Sequence, residues 1–454
     1  MSKPIKFTEH CCLSKSGNED SDFADALGQL IELEQSGSIK FEGQPNGDNK
    51  VPKYLGIEST WESFIAGYYI GATWLKENEI SAVVMPKMGN IDYLEMFSAA
   101  LEINSEKESK YFLNYFGIEF GRPEIQVDEN FNIITPLILI QYISLLKTVT
   151  KRGLKKGYIY REENLQSKVK GHLLFQRHLQ KNVTMKREDR AFCAFQEYTA
   201  DIPENRLLKK ALVFADRAIN SIESLRNHRI YASLKLSINQ LFSLFSTVSD
   251  EIEIHEIKTL KMNKLFAGYK EAVELARLIL RRFDYSLQNA ETEEKATLPF
   301  WIDMPHLYEM YVYKWLKENV IDDEVLFQVK GYQGTAADYV LPKQGIILDA
   351  KYKPHYENGN AGIIDDIRAM SGYARDEDIL HTFENPNAAT VPCVILYPTA
   401  NEDMKSIEED ETDKNEGFFG GKNLAKIKKI RPYRDFYKMQ VEVPVVQKKE
   451  KNHE

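Results

Sequence analysis

The stretch Asp338-Tyr-Val-Leu-Pro-Lys-Gln-Gly-Ile-Ile-Leu-Asp349-Ala-Lys351 decides how the C-terminal third of this chain is read. Pro342-Lys343-Gln344-Gly345 is turn chemistry between two β-rich runs, Ala337 to Leu341 and Ile346 to Lys353. With Lys343 and Gln344 at the tip, pairing outward sets Val340 opposite Ile347 and, two steps on, Asp338 opposite Asp349. Opposed residues hold their β-carbons about 5 Å apart, and like charges so placed repel. A cation between them relieves that repulsion. Asp349 and Lys351 are two apart and share a strand face, so one face carries two acids and one amine. Carboxylate oxygens with water are the ligands Mg²⁺ prefers. The competing reading is a solvated surface hairpin of mixed charge, since Asp-x-Lys is a common triplet.

Its surroundings favour the site. Gly345-Ile-Ile-Leu is apolar up to the charged pair, which places Asp349 at the end of a buried strand, where an unpartnered charge is costly. Upstream, Asp303 and Pro305 start a helix running to about Glu318. Its Tyr308, Tyr311 and Trp315 are expected in the core. Glu309 lines up with Val312 and Leu316, an acid beside apolar neighbours. Two readings of it stand: a snorkelling surface residue, or an acid facing Asp338 and Asp349. Val325-Leu-Phe-Gln-Val is a strand, Ile363 to Ala374 a helix, Val391 to Tyr397 a buried strand, and Phe436 to Val446 a last β-rich run.

Further outward, Phe64 to Trp74 and Ile80 to Pro86 read as strands, Met88 to Glu102 as a helix, and Ile134 to Thr150 as a helix leading into a basic segment. That segment, Lys147 to Arg190, is open to a nucleic-acid or partner surface as well as to a solvated face. From Phe195 a long helical region is expected to about Gln288, with Leu234 to Val248 and Met262 to Phe283 within it, and Asn289 to Thr297 reads as a linker. The expected class is α/β, α+β overall, in three parts: a β-containing N-terminal module over 1–150, a basic and helical middle over 151–296, and an α/β domain with a mixed central sheet flanked by helices over 297–446. Residues 447–454 read as a charged, disordered tail.

Composition narrows the function. The 454 residues contain 43% hydrophobic and 28% charged residues and carry a net charge of −9, which disfavours indiscriminate coating of nucleic acid but leaves room for a local basic track. No apolar run approaches membrane-spanning length, and Met-Ser-Lys-Pro-Ile-Lys lacks a signal-peptide core, so no membrane association and a cytoplasmic location are expected. Cys11, Cys12, Cys193 and Cys393 are too scattered for a disulfide framework and do not combine with histidines at zinc-ligand spacing.

A helix carrying Glu309, then Asp338, then Asp349-Ala-Lys351 resembles the PD-(D/E)xK nuclease superfamily, with Ala337-Asp338 in place of Pro-Asp. Glu197-Tyr-Thr-Ala-Asp-Ile-Pro-Glu-Asn-Arg-Leu-Leu-Lys, Met304-Pro-His-Leu-Tyr-Glu, Leu348-Asp-Ala-Lys-Tyr-Lys and Val84-Met-Pro-Lys together resemble the McrC family over roughly residues 60 to 440. The resemblance implies a nuclease subunit of a McrBC-type restriction system, a phage-defence endonuclease that cuts double-stranded DNA in a hetero-oligomer with a McrB-like AAA+ NTPase using GTP or ATP. It implies a PD-(D/E)xK nuclease domain over 297–446, with Mg²⁺, or Mn²⁺ in its place, held by Asp338, Asp349, the Ala350 carbonyl and Glu309. Lys351 would assist the attack, with Lys353 its rival on the same face. The chain has no Gly-x4-Gly-Lys-Ser/Thr, since Gly420-Gly-Lys422 is followed by Asn423. A motor is therefore expected on another chain. Related nucleases carry Gln-x-x-x-Tyr on the helix after the lysine; here Ala369 stands at the glutamine position and Tyr373 is retained, with Arg368 or Arg375 as substitutes. Two other roles are weighed: an adaptor and NTPase activator whose N-terminal module, Phe64 to Leu101, docks on the motor, and a stand-alone DNA repair nuclease.

Overall fold

The computed structural model describes residues 4–14, 21–43, 52–88, 91–102, 115–119, 122–127, 134–252, 268–288, 296–357, 362–386, 390–400 and 427–445. The expected tail, the acidic run Glu402 to Asp413, the Gly420-Gly-Lys422 segment and most of the expected linker lie outside these residues. The protein is mixed α/β, as the sequence led us to expect. It divides into two compact units, Met1–Ile134 with Glu294–Glu454, and Thr135–Glu293. This differs from cuts at 150 and 296 into three parts, because the first unit is built from both ends of the chain.

The first unit begins with β1 (Ile5–Thr8), β2 (Cys12–Ser14) and helix α1 (Ser21–Gln35). β3 (Glu58–Ser59) and β4 (Ser63–Ile65) join β2 in a small antiparallel sheet. β5 (Tyr69–Lys76) and β6 (Ile80–Met85) form a hairpin, and β1 lies parallel to β6. Helix α2 (Tyr93–Glu102) starts later than Met88, because the Asp92 carboxylate accepts the Glu95 N–H at 3.1 Å and caps it there. β7 (Phe116–Ile118) and β8 (Ile125–Gln126) follow.

In the second unit, α3 (Ile134–Thr150) packs on its own neighbours, with the buried Tyr142 hydroxyl donating to the Leu208 carbonyl at 2.6 Å. The basic segment is a β-ribbon, where a largely helical middle was expected. β9 (Gly157–Gln166) pairs antiparallel with β11 (Arg190–Thr199) over their whole length, and β10 (His172–Leu173) flanks β11. Leu165, Ala191, Cys193 and Phe195 close a small core on the ribbon. Arg161 pairs with Glu197 at 2.6 Å and Arg177 with Glu162, so acids meet part of the basic charge. Helices α4 (Pro203–Ser221), α5 (Tyr231–Leu244) and α6 (Tyr269–Gln288) complete the unit, α4 with proline in its first turn as read from the sequence.

On its return the chain forms β12 (Ala296–Thr297), paired with β8, and β13 (Phe300–Asp303). β13 inserts between β5 and β7, so the N-terminal sheet has the order β1-β6-β5-β13-β7. Gly71 makes that insertion possible: its φ is +149°, and a β-carbon there would lie 2.0 Å from the Phe300 carbonyl oxygen. The Asp303 carboxylate then caps α7 (Met304–Asn319), accepting the His306 N–H at 3.1 Å. Tyr308 is buried in the core, whereas Tyr311 is half-buried, its hydroxyl donating to the Glu442 carbonyl.

β14 (Leu326–Lys330), β15 (Ala336–Leu341), β16 (Ile346–Ala350), helix α8 (Ile363–Tyr373), β17 (Cys393–Ala400), β18 (Ile427–Lys429) and β19 (Phe436–Val443) build a six-stranded sheet of order β14-β15-β16-β17-β19-β18 with a helix. The β16–β17 and β17–β19 pairs are parallel and the others antiparallel, the expected mixed sheet. Val340, Ile347 and Ile395 of the sheet and Ile367 and Met370 of α8 are fully or almost fully buried in one core.

Candidate active site

The hairpin between β15 and β16 turns at Pro342 to Gly345, with the Gly345 N–H donating to the Leu341 carbonyl at 2.8 Å and Gly345 at φ +65°. Val340 pairs with Ile347 and Tyr339 with Leu348, the register read from the turn, which carries Asp338 opposite Asp349 just past the last ladder pair. The two strands are tied there through side chain and main chain: Asp338 Oδ2 accepts the Ala350 N–H at 2.9 Å. Asp349 is 1% exposed, and its Oδ2 lies 2.6 Å from Lys351 Nζ, an ion pair at the buried end of the strand.

Glu309 reaches the site from α7, the second of the two sequence readings. Its main-chain carbonyl accepts the Tyr339 hydroxyl at 2.5 Å, and its carboxylate accepts from Gln328 on β14. The same Gln328 nitrogen lies 3.4 Å from Asp338 Oδ1. Burial pushes the Glu309 carboxyl up to about 7, with the Asp349 charge adding to the rise against the Gln328 bond. Burial, then Glu309 and Asp349, hold Asp338 well above the ordinary aspartate range. Burial disfavours the Lys351 ammonium, yet Asp349 and then Asp338 outweigh it and keep Lys351 above the ordinary lysine value. Three acids thus share one pocket with one amine. Their surplus negative charge, gathered on carboxylate oxygens in a buried place, fits a divalent cation held by oxygen ligands.

Lys353 is not on this face. β16 ends at Ala350, and Lys353 Nζ turns to the Asp366 carboxylate, at 2.8 and 2.9 Å, and to the Tyr356 hydroxyl at 3.2 Å. Beyond the strand the Lys353 N–H donates to the Lys351 carbonyl at 2.6 Å, a turn that ends the two-residue alternation on which the rivalry with Lys351 rested. Nor do the suggested substitutes for the missing glutamine enter the site: Arg368 pairs with Asp365 at 3.1 Å on the surface, and Arg375 donates to the Ser371 carbonyl. Ala369 itself is exposed. Tyr373 is half-buried, and burial, then the Asp349 charge, raise its hydroxyl above the ordinary tyrosine value.

Two contributors escaped the sequence reading. Gln328 is one, although a lone polar residue inside Val325-Leu-Phe-Gln-Val signalled a special position. The other is the contact made by Val84-Met-Pro-Lys87, a stretch quoted above only as a family landmark. Lys87 Nζ donates to the Tyr352 carbonyl at 2.7 Å, lies 4.0 Å from the centre of the Tyr352 ring, and pairs with the buried Glu9 at 3.4 Å. The N-terminal sheet therefore touches the residue that follows Lys351.

Opposed acids at the open end of two strands, a lysine two residues on and a helix-borne glutamate thus meet on a mixed sheet in a mixed α/β protein. The family model for the McrBC 5-methylcytosine restriction system component matches residues 65–366, about two thirds of the chain. The chain belongs to that family. Among solved structures, a chain in the refined half-complex from a tetradecameric assembly of Thermococcus gammatolerans McrB AAA+ hexamers with bound McrC is similar at 15% identity and TM-score 0.40, covering 98% of this chain and 95% of that one. A chain in the cryo-EM structure of the Thermococcus gammatolerans McrBC complex is similar at 15% identity and TM-score 0.30, covering 70% of this chain and 88% of that one. No curated protein matches. Among the described residues, no helix is long and apolar enough to cross a membrane.

Proposed function

We propose that this restriction-system component is a Mg²⁺-dependent endonuclease subunit that cuts double-stranded DNA when assembled with a McrB-like AAA+ NTPase. The supporting observation is the convergence of Glu309, Asp338, Asp349 and Lys351 from one helix and two adjoining strands. Asp338, Asp349, Glu309 and the Ala350 carbonyl would hold the ion. When bound, Mg²⁺ supplies a Lewis acid that polarises the scissile phosphate and acidifies water. Lys351, kept protonated by its acid neighbours, stabilises the negative charge that grows on the phosphate oxygens as the water oxygen bonds to phosphorus and the P–O bond to the leaving sugar breaks. The protein's Asp349 fixes the lysine's position through their ion pair.

The motor as partner and cytoplasmic phage defence as setting are proposed on family membership. The test is co-purification with a McrB-type motor, then cleavage of methylated and unmethylated duplexes with and without Mg²⁺. Asp349→Ala should abolish cleavage while folding and motor association persist. An Asp349→Ala chain that cuts at the wild-type rate overturns the assignment. If the motor's NTPase is stimulated equally by the wild type and Asp349→Ala, but neither cuts, the chain is the adaptor and activator instead.

A further inference from the structure

Gln328 stands in the middle of β14 yet breaks its ladder. Phe327 pairs with Tyr339 and Val329 with Ala337, and the position between them, Gln328 opposite Asp338, is skipped. Its φ is +50°, a left-handed conformation that a long side chain rarely adopts and that costs of order 1–3 kcal/mol where it occurs. Standing opposite Asp338, Gln328 shares that acid's face of the sheet, away from its neighbours Phe327 and Val329. From this left-handed position its amide nitrogen donates to the Glu309 carboxylate and lies 3.4 Å from Asp338 Oδ1. These two acids sit on different elements, and the Gln328 amide is the group that donates towards both, beside the Lys351 ammonium whose charge also offsets their repulsion. Asp338 is fixed on its other side by the Ala350 N–H, and Glu309 by the Tyr339 hydroxyl on its main-chain carbonyl.

We infer that Gln328 is a positioning residue, which uses a strained left-handed backbone to gather Glu309 and Asp338 into one cation-binding set. The inference rests on the metal-nuclease reading above. Partners that orient metal-binding groups typically change metal affinity about ten- to a hundredfold when removed.

The experiment uses the full chain and Mn²⁺ as the probe, with affinity measured by titration calorimetry and metal-free stability by thermal melting. Gln328→Met keeps the bulk and removes the amide; Gln328→Gly removes the amide and also relieves the backbone. Both variants are expected to bind Mn²⁺ about ten- to a hundredfold more weakly. The metal-free Gln328→Gly chain should melt at or above the wild-type temperature. Affinities within about threefold of wild type in both variants overturn the inference, as does tighter binding, which would make the amide a competitor of the ion. A Gln328→Gly chain that melts lower but binds Mn²⁺ normally marks a purely structural residue and overturns it too. A wild-type chain that takes up no Mn²⁺ overturns the metal-nuclease reading itself, and this inference with it.

Discussion

Lys87 Nζ and the Tyr352 carbonyl oxygen, 265 positions apart in sequence, are joined by a 2.7 Å hydrogen bond. The lysine extends from the end of the N-terminal sheet, and the carbonyl belongs to the residue after Lys351. Lys87 also meets Glu9, whose side chain is fully buried. A buried ion pair that loses one partner leaves a charge in an apolar place, at a cost of about 3–5 kcal/mol. Lys87→Met should therefore lower stability to denaturant by roughly 3 kcal/mol. Adding Glu9→Gln should restore part of that loss, because the two sites are coupled. Strictly additive losses would show that the pair is not the link.

The same glutamate predicts a pH dependence. Burial, against Lys87, pushes the Glu9 carboxyl from its ordinary 4.5 up to about 7. Between those values the folded chain binds more protons than the unfolded one, so this contribution is fully present below about pH 4.5 and lost as pH rises through about 7. At about 1.4 kcal/mol per pH unit, the ceiling is on the order of 3 kcal/mol. Asp303, raised by burial to about 6, adds a slope of the same sign. Urea midpoints measured from pH 5 to pH 8 should fall for the wild type and fall less for Glu9→Gln.

Lys351 and Lys353 should separate cleanly. Lys351→Met removes the amine beside the acids and should slow single-turnover cleavage by about 10²–10³ at saturating Mg²⁺, the usual cost of one electrostatic donor. Lys353→Met leaves Asp366 and Tyr356 without their cation. It should lower stability by about 1–3 kcal/mol while cleavage per folded molecule stays within about threefold. The reverse pattern would exchange their roles.

Gly71→Ala tests how the helix bearing Glu309 is anchored. The added β-carbon would meet the Phe300 carbonyl oxygen at 2.0 Å, which a strand pair cannot absorb without moving. A loss of roughly 2–4 kcal/mol is expected by chemical denaturation, together with reduced cleavage, because β13 leads straight into the cap of α7.

The opposed acids were legible because a Pro-x-x-Gly turn sets register, and register decides which side chains share a face. Glu309 was legible only as two alternatives, since helical spacing gives a line of neighbours and not the direction in which the helix is laid down. Gln328 was hidden because its place depends on a backbone angle that period-two alternation does not contain. Lys353 was misplaced for the complementary reason: alternation was carried past Ala350, where the strand has ended. The β9–β11 ribbon was hidden because β9 is largely polar and charged, with Leu165 its one buried residue, so that only β11, through the apolar run from Ala191 to Phe195, carries a strand signal. Exposed Ala369, which departs from the related pattern, has no structural explanation here.

The insertion of β13 between β5 and β7 also sets a timetable for the growing chain. β7 ends at Ile118, and its sheet neighbour begins at Phe300, so roughly 180 residues, or about ten to forty seconds at ordinary synthesis rates, separate the two on the ribosome. During that interval β5 offers an open edge and β7 has no place to pair. A fragment stopping near residue 296 would hold this state permanently and present an edge open to aggregation. Nascent-chain capture at successive lengths should show the N-terminal sheet acquiring protease resistance only after Asp303 has left the exit tunnel.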